Sequence, residues 1–268
     1  KSVEEPQELL AEFDGSFFSL GTLGGGNHFI ELQRDTETNK VAIMIHSGSR
    51  HFGYSVAKYY NNYAKQLNDA WYSNRPNDEL NFLPMDHKVG KSYTAWMELA
   101  MEFARLNRAR MMSIVKDELT WKFGDVEFGT EVNAHHNYAT MENHFGQNVM
   151  VHRKGAIRTR EGDIGIIPGA MGYKSYIVQG LGEPQSFHSA SHGAGRVMSR
   201  SQAKRDFTVE EMFDDLEDRG VTLVTPKPSE VLDEYRKAYK NIGEVLAFER
   251  DLVEPVTELE TVCVIKGG

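Results

Sequence analysis

Cysteine is all but missing from this chain: Cys263 is the single one in 268 residues. An internal disulfide is therefore excluded, and with no signal-peptide pattern present the sequence points to a reducing, cytoplasmic setting. Long apolar runs are lacking too, so no stretch reads as a transmembrane helix. Positive charge is in deficit, 30 Lys and Arg against 39 Asp and Glu, for a formal net charge of −9. That disfavours broad adhesion to nucleic acid without excluding a local basic groove. The start, Lys1-Ser2-Val3-Glu4-Glu5-Pro6, has no initiator methionine and has the polar character of a linker, as expected of part of a longer chain. Also lacking are His-Glu-x-x-His, zinc-finger spacing, a P-loop, and a βαβ context for the glycines at 24–26. No internal repeat or low-complexity tract is visible.

What is present is an ordinary globular composition, 40% hydrophobic and 26% charged, with enough residues for a sizeable core. Its organising stretch is Phe187-His188-Ser189-Ala190-Ser191-His192-Gly193-Ala194-Gly195-Arg196. This is a layout for phosphate chemistry. A ring nitrogen of His192 can attack phosphorus, Gly193 and Gly195 let backbone N–H groups approach the oxygens, and Arg196 offers a planar donor fork. Taken alone, the stretch is equally compatible with a tight turn carrying a solvated or capping histidine. A second glycine-rich loop, Pro168-Gly169-Ala170-Met171-Gly172-Tyr173-Lys174-Ser175-Tyr176, lies just upstream, and two such loops point to one ligand. Two basic clusters flank them, Arg153, Lys154, Arg158 and Arg160, then Arg196, Arg200, Lys204 and Arg205. Each is either a solvated face or a contact for phosphates.

In chain order, residues 7–13 read as a short helix and Gly15 to Gly26 as strand and loop. Asn27–Leu32 reads as a strand whose alternation puts His28, Ile30 and Leu32 together on the apolar face. Val41–Ile45 is apolar throughout, as for a strand buried on both faces, and delivers His46 to the mouth of a glycine loop, where functional groups often sit. His51 reads as structural or exposed. A helix capped by Ser55 runs to Asn68, a loop spans Asn74 to Asp86, and the longest helix covers Thr94–Lys116, its methionines being core filler. Adjacent His135 and His136 cannot both face one site in an extended segment. Strands are expected at 149–152, 164–167, 176–178 and 261–265, a capping box at Thr208–Glu211 opens an acidic helix, and Ser229 caps another through Tyr239. Without regular βαβ alternation the pattern is α+β, a single mixed domain over 1–268 with strands around a pocket and flanking helices. The histidines at 28, 46, 135, 136 and 192 make a metal site only where the fold gathers them, and such donors suit manganese or zinc.

Gly21-Thr22-Leu23-Gly24-Gly25-Gly26-Asn27-His28-Phe29-Ile30-Glu31, His46-Ser47-Gly48-Ser49-Arg50, His135-His136-Asn137-Tyr138, His152-Arg153-Lys154-Gly155-Ala156, the Pro168 loop, Ser191-His192-Gly193-Ala194-Gly195-Arg196 and Val264-Ile265-Lys266-Gly267 occur in that order. Together they resemble the RtcB family of GTP-dependent RNA ligases. The resemblance implies joining of an RNA 3′-phosphate, or a 2′,3′-cyclic phosphate after its opening, to a 5′-hydroxyl, as in tRNA splicing and RNA repair. It implies GTP and two Mn²⁺ ions as cofactors, GMP as a product, RNA as partner, an archease-like activator, and no membrane.

By motif match, His192 would be the nucleophile, and His28, His46 and His136 metal ligands. Asn27, His28, Phe29, Ile30, Glu31, His136, Asn137, Pro168, Gly169, Ala170, Met171, Ser175, His192, Gly193, Ala194, Gly195, Tyr239 and Lys266 would surround the guanylate. Glu31 and Lys266 would read the base, Tyr239 would stack on it, and the basic runs at Arg153 and Arg196 would meet RNA phosphates. One departure is that the family's upstream Asp-x-Gly-x-x-Cys-like segment, which completes the two-metal site, is not in this sequence, and Cys263 does not match it. The competing readings are a non-catalytic guanine-nucleotide or RNA-binding relative and a metal-dependent phosphohydrolase.

Overall fold

In the computed structural model, which describes residues 6–77 and 79–267, the backbone groups into two compact units. One takes the chain up to Thr22 together with Ser47–Lys122; the other takes Leu23–His46 together with the chain from Phe123 onward. The linker-like start at 1–5 and Asp78 of the 74–86 loop lie outside the described residues.

The first unit is helical, with α1 (Gln7–Ser16), α2 (Arg50–Ala70) and α3 (Lys88–Phe123). Helix α2 buries a ridge with four-residue spacing, Phe52, Val56, Tyr60, Ala64 and Asn68, the pattern that places side chains on one helix face. Phe52, Val56 and Tyr60 meet Leu9 of α1 and Val89, Trp96 and Phe103 of α3 in one core. Burying each large apolar side chain contributes about 1.5–3 kcal/mol. That ridge explains why α2 starts at Arg50, a turn earlier than the Ser55 cap predicts: burial of Phe52 outweighs the capping preference of Ser55. Similarly, no strand forms between Gly15 and Gly26. Helix α1 continues through Gly15, and a single helical turn follows at Phe17–Ser19, held by the ring contacts of Phe13 with Phe17 and Phe52. Asn107 of α3 is fully buried and bonds to Gly21, Thr22, Ser47 and Gly48. Among the described residues no helix is long and apolar enough to cross a membrane.

The second unit is built on strands β1 (Phe29–Asp35), β2 (Val41–His46), β3 (Asn137–His144), β4 (Gln147–Lys154), β5 (Ala156–Arg158), β6 (Ile164–Ile167), β7 (Ser175–Gly180), β8 (Ser189–Ser191), β9 (Thr222–Val224) and β10 (Val253–Ile265). Helices α4 (Arg200–Asp206), α5 (Val209–Asp218) and α6 (Ile242–Phe248) complete it. The main sheet has the order β2-β1-β10-β7-β6, with β9 parallel to β10. The class is α+β, as the element pattern predicts. Neighbouring residues on β6 and β7 go to opposite faces, Ile166 and Ile177 with Met212 and Leu216 of α5, Ile167 and Val178 with Ile242 and Leu246 of α6. Both faces of the sheet are thus covered. The capping box at the start of α5 forms as predicted, Thr208 and Glu211 bonding reciprocally.

Three expectations fail here. Strand β2 is an edge strand, and Val41 is exposed rather than buried on both faces. The alternation of β1 is right but its inward face is the other one: Phe29, Glu31 and Gln33 are buried, while Ile30 and Leu32 are only half-buried. Between Ser229 and Tyr239 there is no continuous helix but single turns at Pro228–Glu230, Leu232–Glu234 and Arg236–Ala238. Val231 separates the first two turns, and Tyr235 separates the last two by leaving the helical region at ψ 135°, its ring being fully buried in the core.

Candidate active site

A cavity of about 250 Å³ opens at the end of the main sheet. There β1 begins, β2, β6 and β10 finish, and the antiparallel register sets Phe29 beside His46 and Ile30 beside Ile265. Of the residues singled out from sequence, Asn27, Phe29, Glu31, His46, Pro168 to Met171, His192 to Gly195, Tyr239 and Lys266 line it. Arg196, Arg200 and Glu234 line it as well.

His28, Ile30, His136, Asn137 and Ser175 stand outside that lining. Ile30 lies on the opposite face of β1. Ser175 is buried, and its hydroxyl accepts from the Gly169 N–H at 3.1 Å and from Gln33 Nε2 at 3.1 Å. It therefore holds the floor loop. A Cβ on Gly169 would stand 2.1 Å from the Lys174 carbonyl oxygen, so only glycine lets that loop close. Asn137 Oδ1 accepts from the Gly155 N–H at 3.0 Å.

His192 follows β8, which pairs with β5. Its Nδ1 lies 2.8 Å from the carbonyl oxygen of Gly155. A carbonyl only accepts, so Nδ1 carries the proton and the lone pair sits on Nε2. Burial pulls the imidazole below its usual pKa, with Lys154 adding to the shift and the Gly155 bond opposing it. Burial thus favours the neutral ring, with the lone pair of Nε2 free of a proton. One residue earlier, the Ser191 hydroxyl and N–H both donate to the Glu249 carboxylate, at 2.9 and 3.1 Å. The turn before β8 has Phe187 and His188 at φ of 54° and 49°, consecutive left-handed residues that each cost on the order of 1 kcal/mol.

Four imidazoles gather beside the cavity. Ring centres are 4.9 Å apart for His46 and His136, 6.0 Å for His28 and His46, and 4.7 Å for His136 and His192, which stack. His135, by contrast, turns to Tyr138. Imidazoles sharing one ion at metal–nitrogen distances of about 2.1 Å have ring centres roughly 5 Å apart, so the spacing suits shared coordination. Burial, reinforced by the neighbouring histidines and Lys266, holds His46 well below its usual pKa, in the neutral form a metal requires. The Leu23 carbonyl oxygen accepts from His28 Nδ1 at 2.9 Å, leaving Nε2 as the donor nitrogen toward a metal. The donors are of the right kind for manganese or zinc. Among the described residues, however, no group of three or more His, Cys, Asp or Glu side chains is arranged to hold an ion, so the coordination sphere is unfinished.

At the far end, Glu31 and Lys266 are both buried. Burial raises the Glu31 pKa to about 7 against the pull of Lys266, Gln33 and Thr261, and burial lowers that of Lys266 against the pull of Glu234 and Glu31. A carboxylate beside an ammonium matches the N–H donors and the O6 and N7 acceptors of guanine. Tyr239 bonds Glu234, and Arg196 lies 4.8 Å over its ring while donating to its hydroxyl at 2.9 Å. Arg200 Nη1 donates to Asp233 at 2.7 Å and Glu234 at 2.5 Å. Glu234 was not found from sequence. Its signal was an acidic pair set between Leu232 and Tyr235, where carboxylates are carried inward with the apolar residues around them.

The first basic cluster does not behave as one surface. Arg153 is 2% exposed and pairs with Glu142, so the expectation that it meets RNA phosphates is wrong. The neighbouring Glu142 is a better partner because both lie in the same hairpin and exclude water together. Arg158 pairs with Asp163 at 2.8 Å, while Lys154 and Arg160 are exposed.

The family model described as tRNA-splicing ligase RtcB matches residues 10–267. The RNA-splicing ligase RtcB of Escherichia coli is 42% identical over 255 residues, covering 92% of this chain and 61% of that protein. The tRNA-splicing ligases RtcB of Pyrobaculum aerophilum and Nanoarchaeum equitans are 33% and 32% identical, each over 92% of this chain and 60% of the relative. The chain thus spans about three-fifths of the length of these curated relatives.

Proposed function

The chain belongs to the RtcB family of tRNA-splicing ligases, and from that premise we propose that it joins RNA 3′-phosphate or 2′,3′-cyclic phosphate ends to 5′-hydroxyl ends at the expense of GTP. The observation that carries this reading is His192: a neutral ring whose Nδ1–H is held by the Gly155 carbonyl, leaving Nε2 with its lone pair at a cavity lined by glycine loops. Nε2 attacks the α-phosphorus of GTP, a P–N bond forms, and the P–O bond to pyrophosphate breaks. A 2′,3′-cyclic phosphate is first opened by water, which breaks the P–O bond to the 2′-oxygen and leaves a 3′-phosphate; the guanylyl group then passes to the RNA 3′-phosphate, the P–N bond being exchanged for a P–O bond. The 5′-hydroxyl attacks that activated phosphorus, forms the phosphodiester and expels GMP.

Such transfers depend mainly on position and charge neutralisation. Ala170 and the loop at 193–195 offer backbone N–H groups to phosphate oxygens. Glu31 and Lys266 read guanine from the buried end, and Tyr239, held by Arg196 and Glu234, stacks on it. Asn27 and Phe29 wall the same side. His28, His46 and His136 would hold Mn²⁺, which would supply positive charge to phosphate oxygens. His136 and Asn137 also fix Gly155, whose N–H donates to the His136 carbonyl at 2.8 Å. Arg196 and Arg200, with exposed Lys154, meet the RNA backbone. The setting is cytoplasmic, and an archease-like protein is the activating partner.

The test is incubation with radiolabelled GTP and Mn²⁺, denaturation, and a search for an acid-labile label on the chain. The expected result is a label that disappears in His192→Ala. A label that persists there defeats the nucleophile assignment. GTP bound tightly without label favours the non-catalytic binding relative, and phosphate released from RNA ends without joining favours a phosphohydrolase.

A further inference from the structure

Arg153 lies on β4, two residues before Gly155, and its side chain is buried away from the cavity. Its guanidinium makes a two-pronged pair with the equally buried Glu142 of β3, Nη1 to Oε1 at 2.6 Å and Nη2 to Oε2 at 3.1 Å. His144 Nε2 stands 2.9 Å from the same carboxylate. Burial alone would raise the Glu142 pKa, but the bonds from Arg153 and His144 bring it to about 2. A buried ion pair is by itself weak evidence of any role, since apolar residues often replace one without loss.

What sets this pair apart is where the remaining donors of the fork go. Nε donates to Ser189 Oγ at 3.0 Å and Nη2 to the Phe187 carbonyl at 2.9 Å. These acceptors bracket His188, in the turn where Phe187 and His188 are both left-handed. The turn runs straight into β8, whose Ser191 faces Ala156 of β5, and His192 is the next residue. The end of β4 and the Gly155 turn after it therefore reach the nucleophile from two sides: Gly155 through the ring nitrogen, Arg153 through the backbone that leads to it.

We propose that Arg153 is a positioning residue for His192, its fork holding the Phe187–His188 turn and thereby the place at which Nε2 stands. The proposal rests on the reading of His192 as nucleophile. A lysine at 153 keeps the charge against Glu142 but is a single point donor that does not span Glu142, Ser189 and Phe187 in one plane.

The experiment compares this chain with Arg153→Lys by thermal melting, by the side-chain ¹⁵N spectrum of His192 and by the rate of acid-labile labelling from GTP with Mn²⁺. The parent is expected to show the Nδ1–H tautomer alone. Arg153→Lys, still folded, should show both tautomers and label roughly 10- to 100-fold more slowly. Adding His188→Gly, which accepts left-handed backbone without strain, should restore most of both signals. A folded Arg153→Lys with one tautomer and a labelling rate within about twofold of the parent overturns the proposal. Should Arg153→Lys not fold, Ser189→Ala removes the Nε acceptor together with the bond from the Ser189 hydroxyl to the Phe187 carbonyl, and an unchanged His192 spectrum there overturns it equally. If the parent takes no label yet the tautomer mixture appears, Arg153 positions the ring and the nucleophile reading is what fails.

Discussion

Alanine in place of Gly155 would put a methyl group against the ring of His192. Gly155 has φ +70°, and a Cβ built there stands 3.0 Å from Cε1 and 3.2 Å from Nδ1 of His192. Two separate effects follow. Left-handed backbone costs an L-residue about 1–2 kcal/mol. The methyl also falls roughly half an ångström inside normal carbon contact distance, so the ring must retreat and Nδ1 is drawn off the carbonyl it meets at 2.8 Å. Gly162 supplies a matched control, because its φ is +81° and a Cβ there has nothing within 4 Å. Both variants should lose about 1–2 kcal/mol of stability, a fall of about 2–8 °C in melting temperature for a chain of this size. Only Gly155→Ala should also lose labelling by GTP, by roughly 100-fold, the effect of moving a reacting atom by about an ångström. Melting curves and label counts on the two proteins make the measurement. Equal labelling rates in both would refute the idea that Gly155 pins the nucleophile.

Glu31 has a folded pKa near 7 against 4.5 for an unburied side chain, so the folded state binds its proton more tightly than the unfolded state does. It therefore detracts from stability progressively as pH rises from 4.5 through 7. Glu31→Gln should be more stable than the parent at about pH 8, by of order 1–3 kcal/mol, and equally stable at about pH 4; a lower melting point at the higher pH would show that burial is not what raises the pKa. Thr208→Ala removes the capping box of α5 and should cost about 1 kcal/mol in a denaturant titration. Its labelling by GTP should match the parent's, since α5 backs the sheet and does not line the cavity; a loss there would mean that α5 reaches the chemistry.

Short-range physics was legible in the residues themselves. The Thr208–Glu211 cap, the strands at 29–32, 149–152 and 164–167, and the two glycine loops each depend on neighbours a few positions away, so local pattern sufficed. The motif order from Gly21 to Gly267 pointed to the family for the same reason, being carried by contiguous residues. Which face of β1 turns inward was not legible. Alternation defines two faces, and the polar one was buried because Ser175 and Thr261 arrive from 142 and 230 positions away to satisfy Gln33 and Glu31. Arg153 looked like a ligand contact because charge in a sequence says nothing of the carboxylate that folding sets against it. The gathering of His28, His46, His136 and His192 was likewise decided only by tertiary structure. Antiparallel register between β1 and β2 brings the first two together, and the Gly155 turn and β8 carry the others to them, through contacts that no spacing along the chain encodes.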